Sequence, residues 1–213
     1  MAKKIYISPS DQTGNVYAYG NTNEAVQCRK IATHLVKALE RCGFEAKTNL
    51  EKDMYGRVAE SDAWGAALHI PIHTNAFDGT VKGTRMFCYD TKNNGYKACK
   101  AIIGTLAPIT PGESDGISAR PGLYEVKAAV APTAYVEVAF HDNAEEAKWI
   151  VEHIEDIAEA ICKGVCNFYG VPYVEEKQTI YRVQVGAFQN RAYAEAYLEK
   201  LKADGYDGFI VSV

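Results

Sequence analysis

Short β-rich runs alternate with runs of helical period along the first 170 residues of the chain. Lys4–Ser8 predicts a strand that ends at Pro9. From Asn23 to Cys42, apolar residues recur every three or four positions and Gly43 ends the run, which predicts a helix. Further strands are predicted at Phe44–Thr48, Ala67–His73, Thr84–Tyr89, Tyr124–Val126 and Ala134–Ala139. This alternation predicts an α/β fold, in which a twisted, mostly parallel sheet is flanked by helices.

Three more segments have helical patterns, and one has the composition of a loop. Tyr55–Ala66 and Gly95–Leu106 predict helices. An apolar stripe from Ala147 to Phe168 predicts the longest helix of the chain. Ala107–Gly122 is rich in proline and glycine, so we expect a long surface loop there.

The composition of the chain changes after residue 170. Gly170–Gln178 contains Pro172 and a run of charged residues, which is typical of a domain boundary. We therefore predict a first domain over residues 1–170, a linker over residues 171–178, and a short unit over residues 179–213.

The short C-terminal unit has a pattern of its own. Residues 179–188 alternate as a strand, Ala192–Leu201 has helical period, and Gly205 is placed to cap that helix. Residues 208–213 predict a second strand. The pattern predicts one βαβ unit.

The composition excludes several classes of partner. The formal net charge is −4 and the pI is about 5.8. An acidic chain without a clustered basic run is a poor nucleic-acid binder. No stretch approaches the roughly 20 apolar residues of a membrane span, so no membrane insertion is expected. The N-terminal MAKKIYIS enters a strand without an apolar leader, which predicts synthesis in the cytoplasm without a signal peptide.

The chain has six cysteines, and none of them forms a CxxC pair. Cys28, Cys162 and Cys166 fall on the apolar stripes of predicted helices. A disulfide framework is not expected in a chain with 47% hydrophobic residues, which has enough apolar surface for a core. We therefore interpret the cysteines as small buried thiols in a reduced protein.

Four acidic or histidine residues are predicted to converge at one edge of the sheet. Asp11, His73 and Glu137 lie near the ends of predicted strands, and Glu24 opens a helix after a loop. Sites in parallel α/β sheets form outside the carboxyl ends of the strands. Histidine with carboxylates is an ordinary ligand set for catalytic zinc. The pattern therefore predicts a metal site at this edge.

His69 shares a strand with His73 but is not a plausible partner ligand. Four residues of extended strand span about 13 Å, whereas two ligands of one zinc ion each lie about 2 Å from it. We interpret His69 as a hydrogen-bonded residue within the sheet.

Ordered motifs make residues 4–170 resemble the zinc-dependent N-acetylmuramoyl-L-alanine amidases of bacterial autolysins and phage endolysins. NTNEA resembles the family's NxE motif, with Glu24 as a metal ligand. PIHTNA resembles SxHxN, with His73 as a ligand. VEVAFHDN resembles LxExxFxxN, and Glu137 falls on the catalytic glutamate. Further matches are Arg57, Gly83, Asp115 and Gly116.

One position departs from the family pattern. The family's first ligand is the histidine of DPGHGG, and the corresponding stretch here is SPSDQT, which places Asp11 at that position. An aspartate can bind zinc, but an Asp/Glu/His set is harder and less selective for zinc. Gln12 is a register-shifted alternative. A two-ligand site and a metal-free site stay open at this stage, as does a catalytically weak homologue that binds cell wall.

The resemblance implies that zinc is the cofactor and that peptidoglycan is the substrate. The metal would polarise the amide carbonyl, and Glu137 would transfer the proton. Asn75, Arg57 and His141 are the candidate substrate-binding residues. For His141, a structural role in the loop remains an alternative.

The C-terminal unit resembles half of a SPOR domain, a family that binds peptidoglycan glycan strands without stem peptides. One βαβ unit of about 35 residues is too small to bury a stable core by itself. Its strand edges invite pairing with another chain, so we predict a homodimer through residues 179–213. Docking of the unit onto the first domain of its own chain is the alternative. An enzyme without a signal peptide would reach the wall on lysis, which favours a phage or prophage endolysin over a secreted autolysin.

Overall fold

The computed structural model describes residues 2–114, 116–176 and 183–212. Contacts between Cα atoms divide the chain into two compact units, Met1–Glu176 and Lys177–Val213. The division falls inside the segment that the sequence predicts as a linker. Asp115, one of the residues matched to the family motifs, lies outside the described residues.

The first unit contains a six-stranded sheet in the order β2-β1-β3-β6-β4-β5. Neighbouring strands are parallel except β4 and β6, which pair antiparallel. The mostly parallel α/β prediction is therefore confirmed. The strands are β1 Lys4–Pro9, β2 Glu45–Thr48, β3 Leu68–Asn75, β4 Arg85–Cys88, β5 Gly116–Ala119 and β6 Tyr135–Phe140.

Helices cover the sheet, and polar side chains fix where several of them begin. The Asn23 side chain caps the first helix by accepting a hydrogen bond from the Val26 amide, and Asn143 caps the fifth helix in the same way. Among the described helices, none combines the length and the apolar composition of a membrane span. The helices are α1 Glu24–Arg41, α2 Met54–Trp64, α3 Asn94–Leu106, α4 Tyr124–Ala128, α5 Ala144–Glu152 and α6 Ile154–Tyr169, with a 3-10 turn at Ala107–Ile109.

Three predictions for the first unit are wrong in detail. Tyr124–Val126 begins the short helix α4 and is not a strand. The predicted loop over residues 107–122 contains β5, which forms because it pairs with β4. The apolar stripe of the predicted longest helix is divided between α5 and α6, because His153 at the junction leaves the helical conformation with φ −124° and ψ 33°.

The alternation of side chains along β1 separates the two faces of the sheet. Ile5 and Ile7 belong to the apolar core, which also includes residues of α1, α3 and α6. Tyr6 and Ser8 point to the opposite face, where Tyr6 contacts Trp64 of α2. His69 on β3 pairs in register with Tyr6 and stacks on its ring. This second face is therefore aromatic and polar, and it leads to the carboxyl edge of the sheet.

The described part of the second unit contains one helix, α7 Arg191–Ala203, which is capped by Asn190. The predicted helix over residues 192–201 lies within it. The predicted strands are absent from the parts that the structure describes, residues 183–188 and 208–212; the rest of those predictions lies outside the described residues. A strand needs a hydrogen-bonding neighbour, and the described part of this unit supplies none. Its apolar side chains are exposed, with Val183 at 88% and Phe209 at 75%.

Candidate active site

The sheet and α1 bring Glu24, His73 and Glu137 to the same edge of the fold. His73 on β3 and Glu137 on β6 are direct partners in the register of the two parallel strands. Glu24 is the first residue of α1, and its backbone amide donates to the Asn15 carbonyl at 3.0 Å. The loop after β1 thus holds the helix start close to the strand ends. Residues more than 100 positions apart along the chain meet there because parallel strands end at one edge.

Glu24 and His73 are in direct contact and are buried. Glu24 Oε1 lies 2.8 Å from His73 Nδ1. The other carboxylate oxygen, Oε2, accepts a hydrogen bond from Asn15 Nδ2 at 2.5 Å. Burial opposes the charge of this carboxylate, but hydrogen bonds from His73, Asn15 and Ser10 hold the pKa of Glu24 below its ordinary value. Glu24 is therefore an anionic group fixed beside the imidazole.

The second ring nitrogen of His73 faces another carboxylate. His73 Nε2 lies 3.6 Å from Glu125 Oε2, and the ring stacks on Tyr135 with the centroids 4.6 Å apart. Burial lowers the pKa of His73, but Glu125 and Glu24 outweigh it and raise the pKa to about 10. The imidazole is therefore protonated on both nitrogens when no metal is bound, and a metal ion would displace the Nδ1 proton.

Glu125 is fixed in turn by a network of buried polar side chains. Its Oε1 accepts a hydrogen bond from Ser8 Oγ and lies 3.2 Å from His69 Nε2. His69 Nδ1 lies 3.0 Å from Ser61 Oγ on α2. The sequence interpretation of His69 as a hydrogen-bonded residue of the sheet agrees with these contacts. The network orients Glu125, and through it the His73 ring.

Glu137 is an acidic group at this edge with an unsatisfied oxygen. Its Oε2 is buried and has no hydrogen-bond partner among the described residues. Burial and the nearby Glu24 carboxylate raise the pKa of Glu137 to about 8, against the opposing effects of His73 and Arg85. A buried carboxyl oxygen without a hydrogen-bond partner costs folding free energy, and such groups often have a catalytic role. A raised pKa suits a group that accepts and returns a proton.

The loop after β1 places Gln12, and not Asp11, beside the Glu24–His73 pair. Asp11 Oδ2 accepts a hydrogen bond from the Met54 amide at 3.0 Å and lies 3.5 Å from Arg57 Nη2. Gln12 Nε2 lies 3.4 Å from His73 Nδ1. The Asp11 carboxylate is therefore engaged with the start of α2, while the register-shifted alternative contacts the histidine. Asp11 as a metal ligand stays a prediction that this arrangement does not favour.

The three candidate substrate-binding residues differ in accessibility. Arg57 is 1% exposed, and its Nε donates to Ser8 Oγ at 3.0 Å. His141 is buried, stacks on Tyr17 with the centroids 5.3 Å apart, and lies within hydrogen-bonding distance of Thr74. Asn75 is partly exposed and accepts a hydrogen bond from the Ala76 amide at 2.9 Å. The contacts of Arg57 and His141 lie inside the fold, so their role as substrate contacts remains a prediction.

Sequence reasoning missed Glu125. The residue lies in a run that was predicted as a strand, and no motif marked it. The available signal was a carboxylate in the middle of a short predicted strand. Its importance comes from α4, which presents it to two histidines of β3 that are four residues apart.

The donors at this edge fit a catalytic zinc ion. Ligand atoms of one tetrahedral zinc ion lie about 3.3 Å apart when each is about 2 Å from the metal, so the 2.8 Å between Glu24 Oε1 and His73 Nδ1 would open by about half an ångström to admit the ion. A carboxylate behind the second nitrogen of the histidine, here Glu125, is the usual outer partner of a zinc-bound imidazole. The unsatisfied oxygen of Glu137 supplies the proton acceptor that metal-assisted hydrolysis needs.

This fold and the acid–imidazole cluster at this edge are those of a hydrolase of the α/β type. The family model for N-acetylmuramoyl-L-alanine amidase matches residues 9–167, and the chain belongs to that family. A second family model, the SPOR domain, matches residues 132–212. Residues 132–167 are covered by both, and in the structure they form β6, α5 and most of α6.

Relatives and solved structures agree with this assignment. The chain is 22% identical over 157 residues to the N-acetylmuramoyl-L-alanine amidase CwlM of Bacillus licheniformis, a match that covers 73% of this chain and 60% of CwlM. It is 22% identical over 217 residues to the sporulation-specific N-acetylmuramoyl-L-alanine amidase of Bacillus subtilis strain 168, covering 98% of this chain and 84% of that protein.

Two solved structures illustrate the likeness of the fold. The catalytic domain of CwlV from Bacillus (Paenibacillus) polymyxa var. colistinus superposes with a TM-score of 0.71 at 18% identity, covering 80% of this chain and 99% of that one. The amidase AmiC2 of Nostoc punctiforme gives a TM-score of 0.68 at 20% identity, covering 79% and 97%. The fold prediction is thus confirmed by comparison as well as by the sheet itself.

Proposed function

We propose that this chain hydrolyses the amide bond between N-acetylmuramic acid and L-alanine in peptidoglycan. One observation carries the proposal: the Glu24–His73 pair lies at the same strand edge as Glu137, whose buried Oε2 has no partner among the described residues. Membership of the amidase family supports the choice of substrate.

Zinc would be held by Glu24 Oε1 and His73 Nδ1. When bound there, zinc supplies a Lewis acid that polarises the amide carbonyl and raises the acidity of water. Gln12 is our candidate for a third protein donor, because its Nε2 already lies 3.4 Å from His73 Nδ1. Its amide oxygen, which accepts a hydrogen bond from Asn15 Nδ2, would have to turn towards the metal. Two strong donors and one neutral amide would make a weaker site than three charged or imidazole donors.

Glu137 would move the proton. Its free carboxylate oxygen accepts a proton from the attacking water and later delivers it to the nitrogen of the departing alanine. An amide leaves poorly as an anion, so protonation of that nitrogen is needed for the C–N bond to break. The position of Glu137 opposite His73 in the strand register keeps this carboxylate close to the reacting carbonyl.

Glu125 and His69 would act as positioning residues. Glu125 holds the Nε2 side of His73, which leaves Nδ1 directed at Glu24. The stacking of the imidazole on Tyr135 restricts rotation of the ring. This edge would therefore present preformed ligands, which reduces the reorganisation needed when metal and substrate bind.

The proposal is tested by turnover of purified peptidoglycan. The full chain is incubated with zinc, with a chelator, and with zinc restored after chelation, and newly exposed L-alanine amino groups are measured. We expect release with zinc, none with chelator, and recovery on restoration. The Glu152→Gln variant, which changes an exposed carboxylate, is the control and should behave as the wild type. Binding without release under every condition would contradict the proposal and support the cell-wall-binding alternative.

We also propose that residues 179–213 pair with the same unit of a second copy. The described part of this unit has no buried helix residue, and it exposes a set of apolar side chains. A second copy would bury these side chains and supply neighbours for the predicted strands. The exposed apolar residues are Val183, Val185, Phe188, Tyr193, Tyr206, Phe209, Ile210 and Val211.

Light scattering tests the dimer. We expect the full chain to have the mass of two copies at tens of micromolar, and Phe209→Asp to shift it to one copy. Val130→Asp is the control, because Val130 is an equally exposed apolar residue of the first unit, and this variant should stay dimeric. A monomeric wild-type chain would contradict the dimer. Binding of glycan strands by the SPOR-like unit is a separate question that a sedimentation assay with denuded glycan answers.

A further inference from the structure

Three cysteines that the proposed mechanism does not use form a compact cluster. Cys42 is the C-cap of α1, and Cys162 and Cys166 lie one turn apart on α6. Their sulfur atoms all lie within 4.8 Å of one another, and the Cys42 and Cys162 sulfurs are 3.7 Å apart. All three side chains are buried and none is in a disulfide. Buried thiols are common, but three converging sulfurs form a ligand set.

The spacing of the sulfurs suits one metal ion. Thiolates bind zinc at about 2.3 Å, so two sulfurs on one tetrahedral ion lie about 3.8 Å apart. The distance between Cys42 and Cys162 already has this value. An ion between the three sulfurs would therefore need only a small movement of side chains.

The surroundings of the cluster close it to solvent and to substrate. The Val174 amide donates to Cys42 Sγ at 3.3 Å, and the Val174 carbonyl accepts from Arg41 Nε at 2.8 Å. The segment after α6 thus covers the sulfurs. A metal ion bound here would be shielded from solvent and substrate, which suits a structural role and not a catalytic one.

The charge of the cluster is compatible with metal binding. Burial raises the pKa of Cys162 and, with the neighbouring Cys42, raises that of Cys166 to about 12. The nearby Arg41 guanidinium acts in the opposite direction on Cys166. A bound cation would replace the protons, and Arg41 would offset part of the remaining negative charge.

We propose that Cys42, Cys162 and Cys166 bind one thiophilic d10 ion, Zn²⁺ or Cu⁺, through three thiolates at a buried site. Thiolates select such ions over the harder ions that carboxylates prefer. The cluster is separate from the proposed catalytic edge because Cys42 and Glu24 are at opposite ends of α1, whose 18 residues span about 27 Å. The ion would tie α1, α6 and the segment containing Val174 together.

Spectroscopic titration of the reduced full-length chain tests this site. Cd²⁺, which stands in for Zn²⁺, and Cu⁺ are added in separate experiments, and the ultraviolet charge-transfer band between thiolate and metal is followed. We expect a band that saturates at one equivalent; competition by Zn²⁺ against Cd²⁺, compared with the Cu⁺ titration, distinguishes the two ions. The Glu24–His73 edge contains no thiolate among its ligands, so it does not contribute to the band.

Matched variants assign the band to the cluster. Cys162→Ala and Cys166→Ala should weaken binding at least about 100-fold, whereas Cys99→Ala should leave it unchanged. Cys99 is the control because it is an equally buried helical cysteine outside the cluster. Folding of each variant is checked by circular dichroism.

Amide hydrogen exchange gives an independent result that needs no variant. Metal should slow exchange at Val174, whose amide faces Cys42, and should leave exchange in α7 unchanged. Absence of a band in the wild-type chain, an unchanged band in Cys162→Ala, or formation of a Cys42–Cys162 disulfide in place of metal uptake would each overturn the proposal.

Discussion

The two ends of α1 present clusters of opposite chemical character. At its first residue, Glu24 meets His73 in a set of carboxylates and imidazoles that hydrogen bonds orient. Past its last turn, Cys42 meets two cysteines of α6 inside the apolar core. The first cluster is held by polar contacts between distant parts of the chain, and the second is held by packing. α1 thus separates a ligand set of carboxylates and imidazole, which is of intermediate hardness, from a set of three thiolates, which is soft.

Because of this difference, the two clusters should respond differently to substitution of single residues. Groups oriented by hydrogen bonds lose function when one partner is removed, because the remaining side chains lose both their charge balance and their fixed orientation. Groups held by packing keep their positions when one sulfur is removed, and lose mainly a ligand. Substitutions at the edge should therefore affect catalysis, while those in the thiol cluster should affect stability and metal content.

His73→Ala should have the largest effect. It removes one strong metal donor and the partner of both Glu24 and Glu125. We expect no measurable peptidoglycan turnover. We also expect the zinc affinity of the site formed by Glu24 and His73 to fall at least about 100-fold. Isothermal titration and the alanine-release assay measure the two effects. The cadmium band of the thiol cluster should be unchanged, and its loss would break the distinction between the two ends of α1.

Glu137→Gln should separate chemistry from metal binding. The amide keeps the size of the side chain but cannot accept a proton, so we expect kcat to fall by about 10²–10⁴-fold. Zinc affinity should stay within a few-fold of wild type, because Glu137 is not among the proposed ligands. Turnover near the wild-type rate would remove Glu137 from the proposed mechanism.

Much of this edge was predictable because family motifs and strand ends indicate the same residues. Glu24, His73 and Glu137 were predicted to converge, and the parallel pairing of β3 with β6 brings the last two into register. Asp11 was placed by its position after the first strand and by its correspondence to the family's first ligand. The loop instead directs this carboxylate to the Met54 amide, a contact between distant residues that no local pattern encodes.

Elements that depend on tertiary contacts were the ones missed. Tyr124–Val126 has a β-like composition, but three residues are a weak signal, and Glu125 is held in α4 by partners on β1 and β3. β5 exists because β4 offers an edge to pair with. The thiol cluster was equally invisible, since Cys42 lies 120 positions from Cys162. The sequence predicted buried thiols but could not predict that three of them converge.

A pair of histidine substitutions should sharpen the account of the third donor. Gln12 already contacts His73, whereas the Asp11 side chain is directed to the start of α2. We expect Gln12→His to raise zinc affinity at the edge by about tenfold and Asp11→His to change it less, because only the former side chain reaches the pair. Titration with zinc measures both. A larger gain from Asp11→His would show that the loop rearranges when metal binds.

The smallest effect concerns a carboxylate away from both clusters. The hydrogen bond from Lys47, together with those from Asn49 and Lys52, lowers the pKa of Glu60 from 4.5 to about 2. Its stabilising contribution is therefore present above pH 4.5 and is lost as the pH falls towards 2. Glu60→Gln should lower the unfolding free energy at pH 7 by about 1 kcal/mol, a modest value because solvent screens the lysines.

Urea unfolding at several pH values measures this difference. The gap between wild type and Glu60→Gln should shrink as the pH falls from 5 to about 2, and Glu152→Gln, a surface control, should show a smaller gap throughout. A gap that stays constant with pH would mean that Glu60 acts through packing and not through its charge.

Anomalous scattering at the zinc absorption edge, from crystals of the full chain grown with zinc, tests the central claim most directly. We predict one peak within ligand distance of both Glu24 Oε1 and His73 Nδ1, about 2 Å from each, with Glu137 facing it. A second peak among the sulfurs of Cys42, Cys162 and Cys166 would support the separate thiol site. Zinc bound only at the thiol cluster, with the Glu24–His73 contact intact and no peak beside it, would contradict the assignment of this edge as the catalytic metal centre.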